Sequence, residues 1–278
     1  MRISLVLYVY PGIEKYLEIL IDSINYQTFK DFDVIIFNDN LEDVNQLFRN
    51  LQMHSTVIEV EGSINEIRFN SLKDIDTYGS EYIIFQDADD FLAENRIEAN
   101  LKALEDYDLV VNDLTLVDTK SQVTEKSIWA CRLGNRLEFK ESFLKDKNIV
   151  GLGNTAIKKS LLIDSRLRYS KSPLAFDWFL FYQIFDLNKL NAVFISNTST
   201  YYRQHQENIA GIKKLDHNRL KHVLDVKIAH YTALISIGFD FEKELDSLRS
   251  INIEILDFAE IKFFKEDFNF LWWEESNI

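Results

Sequence analysis

The sequence predicts an α/β protein with a mostly parallel central sheet, flanking helices and a helical appendage at its C-terminal end. Short apolar runs that suit buried strands alternate along the chain with segments whose apolar residues recur at helical spacing. This alternation implies right-handed crossovers between parallel strands. The chain has 278 residues, 46% of them hydrophobic, with only 2 Pro and 8 Gly. Composition therefore favours one large core over two domains joined by a flexible linker.

The first half of the chain supplies most of the predicted sheet. Strands are expected at 3–9, 32–37, 56–60, 82–86 and 108–112. Helices are expected between them, the first with Ile13, Leu17, Leu20, Ile21 and Ile24 on one face, and the others at 41–51, 64–75 and 94–105. The second and fourth strands end in Asp-containing turns. This is typical of a nucleotide site at the carboxyl edge of a Rossmann-like sheet.

The second half is less regular. We expect mixed loop and helix over 127–147, a turn at 151–154, a buried aromatic helix at 175–185, a strand at 192–202 and helices beyond residue 216. These patterns predict a main domain at 1–212 and a helical appendage at 213–278. The aromatic end of the appendage should pack on the main domain or on a second copy of the chain, and contact with a membrane surface is the alternative. Its aromatic residues are Phe263, Phe264, Phe268, Phe270, Trp272 and Trp273.

Charge and cysteine content exclude several classes of function. Lys and Arg number 31 against 45 Asp and Glu, which gives a net charge of −14. That sign disfavours nucleic-acid binding and loose electrostatic docking on anionic membranes. Cys131 is the only cysteine, so no intramolecular disulfide can form. With neither a leader pattern nor an apolar stretch long enough to span a bilayer, we expect a cytoplasmic protein, with the inner face of the membrane as the alternative location.

The most informative segment is a buried strand that ends in carboxylates. Four apolar or aromatic residues, 82–85, precede Asp87, Asp89 and Asp90. Crowded carboxylates repel one another unless a cation lies between them, and Mg²⁺ or Mn²⁺ suits oxygen ligands. The alternative is a solvated acidic turn before the next helix. The strand on one side and the helix on the other favour a metal site.

Several short motifs follow one another along the chain. They are the opening strand 4–10, Asn38-Asp39, Arg68-Phe69-Asn70, 79–83, Asp87-Ala88-Asp89-Asp90, Asp177-Trp178 and the block 201–211 that contains Tyr202-Arg203-Gln204-His205. Taken in this order, the motifs resemble those of family 2 glycosyltransferases of the GT-A fold. The block 201–211, with Phe69-Asn70 and Asp177-Trp178, resembles the bacterial rhamnosyltransferase-like branch. The sequence departs from that branch at Pro11, Ala88 and Phe176, which bears on the donor sugar more than on the fold.

The resemblance and the residue chemistry together predict a donor site. Asp89, with Asp87 and His205, would hold the metal; for a lone His the alternative is a loop histidine bonded to backbone. Tyr8, Val9, Tyr10, Asp39, Arg68, Asp87, Ala88 and Arg203 would bind the nucleotide sugar. Guanidinium pairs with phosphate in a bidentate way, although an ordinary ion pair is equally open for either arginine. Asp39 would bond a nucleobase edge, or its own backbone in a turn.

A carboxylate is also needed on the acceptor side. Asp177 is the candidate general base, because apolar neighbours should raise its pKa toward a useful value. Its alternative role is helix N-cap. Trp129 and Trp178 are either sugar-stacking platforms or core residues.

The expected function is an inverting glycosyltransferase that depends on Mn²⁺ or Mg²⁺. It would move a hexosyl or rhamnosyl group from a nucleotide-diphosphate sugar to a hydroxyl of a glycan or lipid-linked saccharide, in bacterial surface polysaccharide synthesis. The alternative is a catalytically silent nucleotide-sugar-binding or scaffold module of the same fold. A nucleotidyltransferase would carry a Gly-rich basic loop near the first strand, and a haloacid-dehalogenase-like phosphatase would carry its acidic motif after the first strand; neither fits.

Overall fold

The computed structural model describes residues 2–205, 208, 213–214, 217–252 and 270–271. The strands are β1 Ile3–Val9, β2 Asp33–Asn38, β3 Ser55–Glu59, β4 Tyr82–Asp87, β5 Phe91–Leu92, β6 Leu109–Val117, β7 Val123–Glu125, β8 Arg136–Phe139, β9 Thr155–Lys158, β10 Ala192–Arg203, β11 Lys213–Lys214 and β12 Phe270–Leu271. The helices are α1 Glu14–Asn25, α2 Val44–Leu47, α3 Ile64–Asp76, α4 Arg96–Leu104, α5 Ala130–Leu133, α6 Lys159–Leu162, α7 Phe176–Asn188, α8 His217–Ser236 and α9 Glu242–Arg249. Short 3₁₀ turns cover Glu141–Leu144 and Leu152–Asn154.

The main sheet has the strand order β3-β2-β1-β4-β9-β6-β10-β5, with β7 beside β6 and β8 beside β10. Strands β1 to β4 pair in parallel, as do β6 and β10. Strand β9 runs antiparallel between β4 and β6, so the sheet is mixed rather than continuously parallel. The predicted α/β class, with a central sheet flanked by helices, is confirmed. The strand at β9 was not predicted.

A core lies on each face of the sheet, because side chains of successive strand residues point to opposite faces. In β1, Leu5 and Leu7 pack with α1, while Val6 packs with the aromatic residues of α7. In β4, Ile83 and Phe85 join the second of these cores. Apolar residues on both faces explain why these strands appear in the sequence as unbroken hydrophobic runs.

Helix α3 begins with a capping box that fixes its first turn beside the sheet edge. The Ser63 hydroxyl accepts from the Glu66 backbone N–H at 3.4 Å, and the Glu66 carboxylate accepts from the Ser63 backbone N–H at 2.9 Å. This exchange satisfies two donors that the helix itself leaves unpaired. The fixed first turn sets the position of Arg68, one turn further along.

Two predicted elements differ in extent. The helix predicted at 41–51 is confined to α2, because the Asn38 side chain accepts from the Leu41 backbone N–H at 2.9 Å and holds the chain in a turn. Asp43, just before α2, has a φ of 53° and also departs from helical geometry. The strand predicted at 108–112 continues to Val117, since all nine residues of β6 are buried between neighbouring strands.

The described part of the predicted appendage consists largely of α8 and α9. Leu224 and Leu234 of α8 and Leu245 of α9 belong to the same core as α7. The Tyr231 hydroxyl also donates to the Lys145 carbonyl at 3.0 Å. The boundary at residue 212 stays a prediction, and the aromatic residues 263–268 and 272–273 lie outside the described residues. Within the described part of the chain, no helix is both long and apolar enough to cross a membrane.

Candidate active site

The register of three parallel strands brings the predicted residues to one sheet edge. Tyr8 near the end of β1 pairs with Phe37 of β2 on one side and with Asp87 of β4 on the other. A cavity of about 470 Å³ opens at this edge. It is lined by every predicted site residue except Arg203, namely Tyr8, Val9, Tyr10, Asp39, Arg68, Asp87, Ala88, Asp89, Asp177 and His205. The structure therefore places together residues that are up to 197 positions apart in the sequence.

The acidic turn after β4 is held in place by β10, which lies more than a hundred residues later in the sequence. Strand β5, which follows the turn, pairs with β10 just before Arg203. The buried Asp90 carboxylate accepts from the Arg203 backbone N–H at 2.7 Å, and burial raises the pKa of Asp90 well above its usual value. Asp90 therefore braces the turn.

Arg203 lies against the turn instead of lining the cavity. Its Nε donates to the Asp89 carbonyl at 2.8 Å, and its Nη1 donates to the Ser121 hydroxyl at 2.7 Å. The guanidinium lies 4.4 Å from the centre of the Tyr16 ring, and burial lowers its pKa. This differs from the predicted phosphate contact, because the arginine is 1% exposed and bonds the protein's own backbone. Arg203 instead fixes the backbone that carries Asp89.

Asp89 and His205 meet directly at the cavity. The Nε2 atom of His205 lies 2.9 Å from Oδ2 of Asp89, and the two side chains are 9% and 15% exposed. Asn208 fixes the histidine turn, since its Oδ1 accepts from the His205 backbone N–H and its Nδ2 donates to the Arg203 carbonyl at 2.9 Å.

Asp89 and His205 fit a divalent cation whose remaining ligands come from the substrate. Among the residues the structure describes, no three His, Cys, Asp or Glu side chains are arranged to hold a metal by themselves. Mg²⁺ and its relatives, however, are usually held by one or two carboxylates together with substrate phosphates. Asp89 supplies one such carboxylate on the cavity wall, with the His205 imidazole in contact with it.

Arg68 supplies positive charge between the two sides of the cavity. Its Nη2 lies 3.8 Å from Oδ1 of Asp87, and its Cζ lies 6.0 Å from the centre of the Tyr8 ring. Its buried Nε has no hydrogen-bond partner among the described residues. Burial raises the pKa of Asp87 to about 6, and the Arg68 charge opposes that rise. The Arg68 guanidinium therefore retains a donor, Nε, that could bind an anionic group in the cavity.

Aromatic and polar groups at the ends of β1 and β2 form the other end of the cavity. The Tyr8 ring stacks on Phe37 with centroids 5.3 Å apart, and its hydroxyl lies 2.7 Å from that of Ser71. Tyr10 is 40% exposed. The Asp39 backbone N–H donates to the Val9 carbonyl at 2.8 Å, which leaves the Asp39 side chain at the cavity wall.

Asp177 lies in the first turn of α7. Burial raises its pKa, while Arg68 and the Trp178 backbone N–H, which donates to it at 2.8 Å, oppose the rise. The N-cap residue of α7 is Ala175, so Asp177 is not the N-cap. Trp178 is fully buried, and its indole N–H donates to the Leu144 carbonyl at 2.7 Å. Trp178 is therefore a core residue, whereas Trp129, 2% exposed, lies at the cavity wall.

The sequence pattern of the family described as "Glycosyl transferase family 2" matches residues 4–162, more than half of the chain. The chain belongs to glycosyl transferase family 2. As a member of that family it is a glycosyltransferase that uses nucleotide sugars. None of the curated proteins compared with it is similar in sequence.

Solved structures with the same fold are distant in sequence. S. aureus TarS 1-349 in complex with UDP-GlcNAc is 16% identical with a TM-score of 0.60, over 89% of this chain and 70% of that one. S. aureus TarS 1-349 is 17% identical with a TM-score of 0.59, over 89% and 69%. Mannosyltransferase PcManGT from Pyrobaculum calidifontis, in complex with GDP-Man and Mn²⁺, is 16% identical with a TM-score of 0.58, over 88% and 68%. At these identities the likeness concerns the fold.

Two parts of this candidate site were not singled out from the sequence. Asn208 stands in the block after His205, where its spacing from the histidine could have indicated a turn-capping amide. Gly153 and Asn154 line the cavity from a loop that was predicted only as a turn. The pair of glycines in Gly151-Leu152-Gly153-Asn154 was the available signal.

Proposed function

We propose that this family 2 glycosyltransferase transfers a hexosyl or rhamnosyl group, with inversion, from a nucleotide-diphosphate sugar to a hydroxyl of a glycan or lipid-linked saccharide. A role in bacterial surface polysaccharide synthesis, on the cytoplasmic side of the membrane, belongs to the same proposal. The observation that carries it is the convergence of Asp89, His205, Arg68 and Asp177 on one cavity. A cation-binding pair, a guanidinium and a carboxylate of raised pKa are the groups that this reaction requires.

The donor would lie along the edge formed by β1, β2 and β4. Asp39 would accept a hydrogen bond from a nucleobase edge, and Tyr8 or Tyr10 would pack against the ring of the base. Arg68 would meet the diphosphate, and Asp89 with His205 would hold Mn²⁺ or Mg²⁺, with Asp87 close by. Bound there, the cation would act as a Lewis acid and counter the charge that develops on the leaving diphosphate.

Asp177 would act on the acceptor. In a single in-line displacement, the acceptor oxygen forms a bond to the anomeric carbon while the bond from that carbon to the diphosphate oxygen breaks. The proton of the acceptor hydroxyl passes to Asp177, and the bonding electrons leave with the nucleoside diphosphate. The buried position that raises the pKa of Asp177 makes this carboxylate a better proton acceptor.

Calorimetry with UDP and GDP in the presence of Mn²⁺ tests the donor site. Asp89→Asn should weaken binding of the preferred nucleotide sharply and leave the fold intact. The matched control is Asp22→Asn, an exposed aspartate on α1 that should bind as the parent does. Equal affinity of Asp89→Asn and the parent would remove the metal part of the proposal. Tight donor binding by the parent without transfer to any acceptor would favour the silent binding module.

Transfer assays test the base. Asp177→Asn should bind the nucleotide almost normally and lose about 10²–10⁴-fold in transfer rate. Asp186→Asn, further along the same helix and outside the cavity, is the control and should retain activity. Near-parental transfer by Asp177→Asn, or a product with retained anomeric configuration, would contradict the assignment.

A further inference from the structure

The loop at residues 151–154, here called the glycine loop, contacts the side chain of Asp87 through a bare Cα. A methyl group added at Gly153 would lie 3.2 Å from Cγ and 3.6 Å from Cβ of Asp87, and closer still to Oδ2. The backbone of Gly153 lies outside the left-handed region, so conformation alone does not require a glycine here. The close approach of Asp87 is what excludes a side chain.

The glycine loop is held by buried polar groups and cannot readily move aside. The Asn154 side chain accepts from the Gly151 backbone N–H at 2.9 Å and donates to the Asn112 carbonyl at 3.1 Å. The fully buried Thr200 hydroxyl donates to the Gly153 carbonyl at 2.9 Å. Because Asn154 is itself only 3% exposed, displacement of the loop would break several buried hydrogen bonds. A side chain at position 153 would instead displace the Asp87 carboxylate.

The same loop also approaches the candidate base. A methyl group at Gly151 would lie 3.7 Å from Oδ2 of Asp177, which is ordinary van der Waals contact. The glycine loop thus approaches both the carboxylate at the donor end and the carboxylate at the acceptor end. The absence of side chains at Gly151 and Gly153 lets the loop approach both carboxylates.

We infer that Gly153 is a positioning residue for the donor site, which acts through Asp87. The inference rests on the proposed function for its consequence in donor binding. The contact itself, between a bare Cα and a carboxylate, can be tested without a substrate.

A double-mutant cycle separates a specific contact from a general loss of stability. Gly153→Ala should lower the midpoint of urea unfolding in the parent and leave it nearly unchanged when Asp87→Ala has already removed the carboxylate. The control is Gly79→Ala, whose added methyl would lie 2.7 Å from Nη1 of Arg2, the far end of a flexible side chain. That control should have the same small effect in both backgrounds.

Binding provides the second readout. Using whichever of UDP and GDP the parent binds with Mn²⁺, Gly153→Ala should raise the Kd about tenfold or more, while Gly79→Ala leaves it unchanged. Equal destabilisation by Gly153→Ala in both backgrounds, or an unchanged Kd, would overturn the inference. If Gly153→Ala does not fold, recovery of folding in the Asp87→Ala double variant supports the contact, and failure of the double variant refutes it. If the parent binds neither nucleotide, the proposed donor site fails, while the unfolding cycle still decides whether Gly153 acts through Asp87.

Discussion

The buried histidine behind the candidate base makes the stability of the protein sensitive to acid. His230 of α8 is fully buried and stacks on Trp178 with ring centroids 3.7 Å apart. Neither of its ring nitrogens has a hydrogen-bond partner among the described residues. Burial, assisted by the charge of Lys227, lowers the pKa of His230 well below its usual value.

The direction and size of the effect follow from proton linkage. Below pH 6.5 His230 binds a proton in the unfolded chain but stays neutral in the folded protein. The contribution of His230 to the free energy of unfolding is therefore fully present above that pH and is lost as the pH falls. Between pH 7.5 and pH 5 this difference amounts to about 2 kcal/mol for an unfolded histidine pKa of 6.5. Of the facing groups, Lys227, whose pKa is lowered to about 8, loses charge only at the upper end of this interval, and the pKa of Tyr182 is raised to about 12.

His230→Phe keeps an aromatic ring against Trp178 and removes both nitrogens. The free energy of unfolding is measured by urea denaturation at pH 7.5 and at pH 5. Its decrease between these two pH values should be about 2 kcal/mol smaller in this variant than in the parent. The exposed His54, changed to Gln, is the control and should keep the parental pH dependence. An identical loss of stability in the parent and His230→Phe would show that His230 is not held neutral in the core.

Three smaller predictions concern residues that hold the site in place. Ser63→Ala removes the hydroxyl half of the capping box and should cost about 1 kcal/mol of unfolding free energy, measured by urea denaturation. Tyr8→Phe removes the hydroxyl pair with Ser71 and should cost about 1 kcal/mol by the same measurement, with the aromatic stack retained. Arg203→Met leaves buried acceptors in the acidic turn without their donor and should cost about 3 kcal/mol, together with weaker Mn²⁺-dependent nucleotide binding by calorimetry; parental affinity would show that Asp89 needs no such brace.

The sequence was most informative where the burial pattern dominates the choice of local structure. Strand β1 and helix α3 begin at their predicted residues. A run of apolar residues specifies the strand, and the capping pair Ser63 and Glu66 specifies the start of the helix. The convergence of Asp89, Asp177 and His205 on one cavity followed from the order of the motifs and from the rule that strand ends form binding edges.

The sequence was least informative where a distant partner decides the outcome. Strand β9 is four residues long and is stabilised by pairing with β4 and β6, neither of which can be recognised as its neighbour from local sequence. Arg203 was expected at a phosphate because guanidinium suits phosphate, yet its partners are the backbone of a turn more than a hundred positions away. Trp178 is buried by α8, outside the region that resembles the family.

The brace between Asp90 and Arg203 also constrains the order in which the protein can assemble during synthesis. The two residues are separated by 113 positions, and Asp89 and His205 by 116. A nascent chain that has emerged only as far as residue 162, the limit of the family pattern, contains the whole acidic turn but neither of the residues that hold it. The carboxylates would then repel one another without a fixed backbone, so donor affinity at the proposed site should arise only after β10 has joined the sheet. Strands β1 to β4 can pair earlier, which leaves the binding function to the last part of the domain to fold.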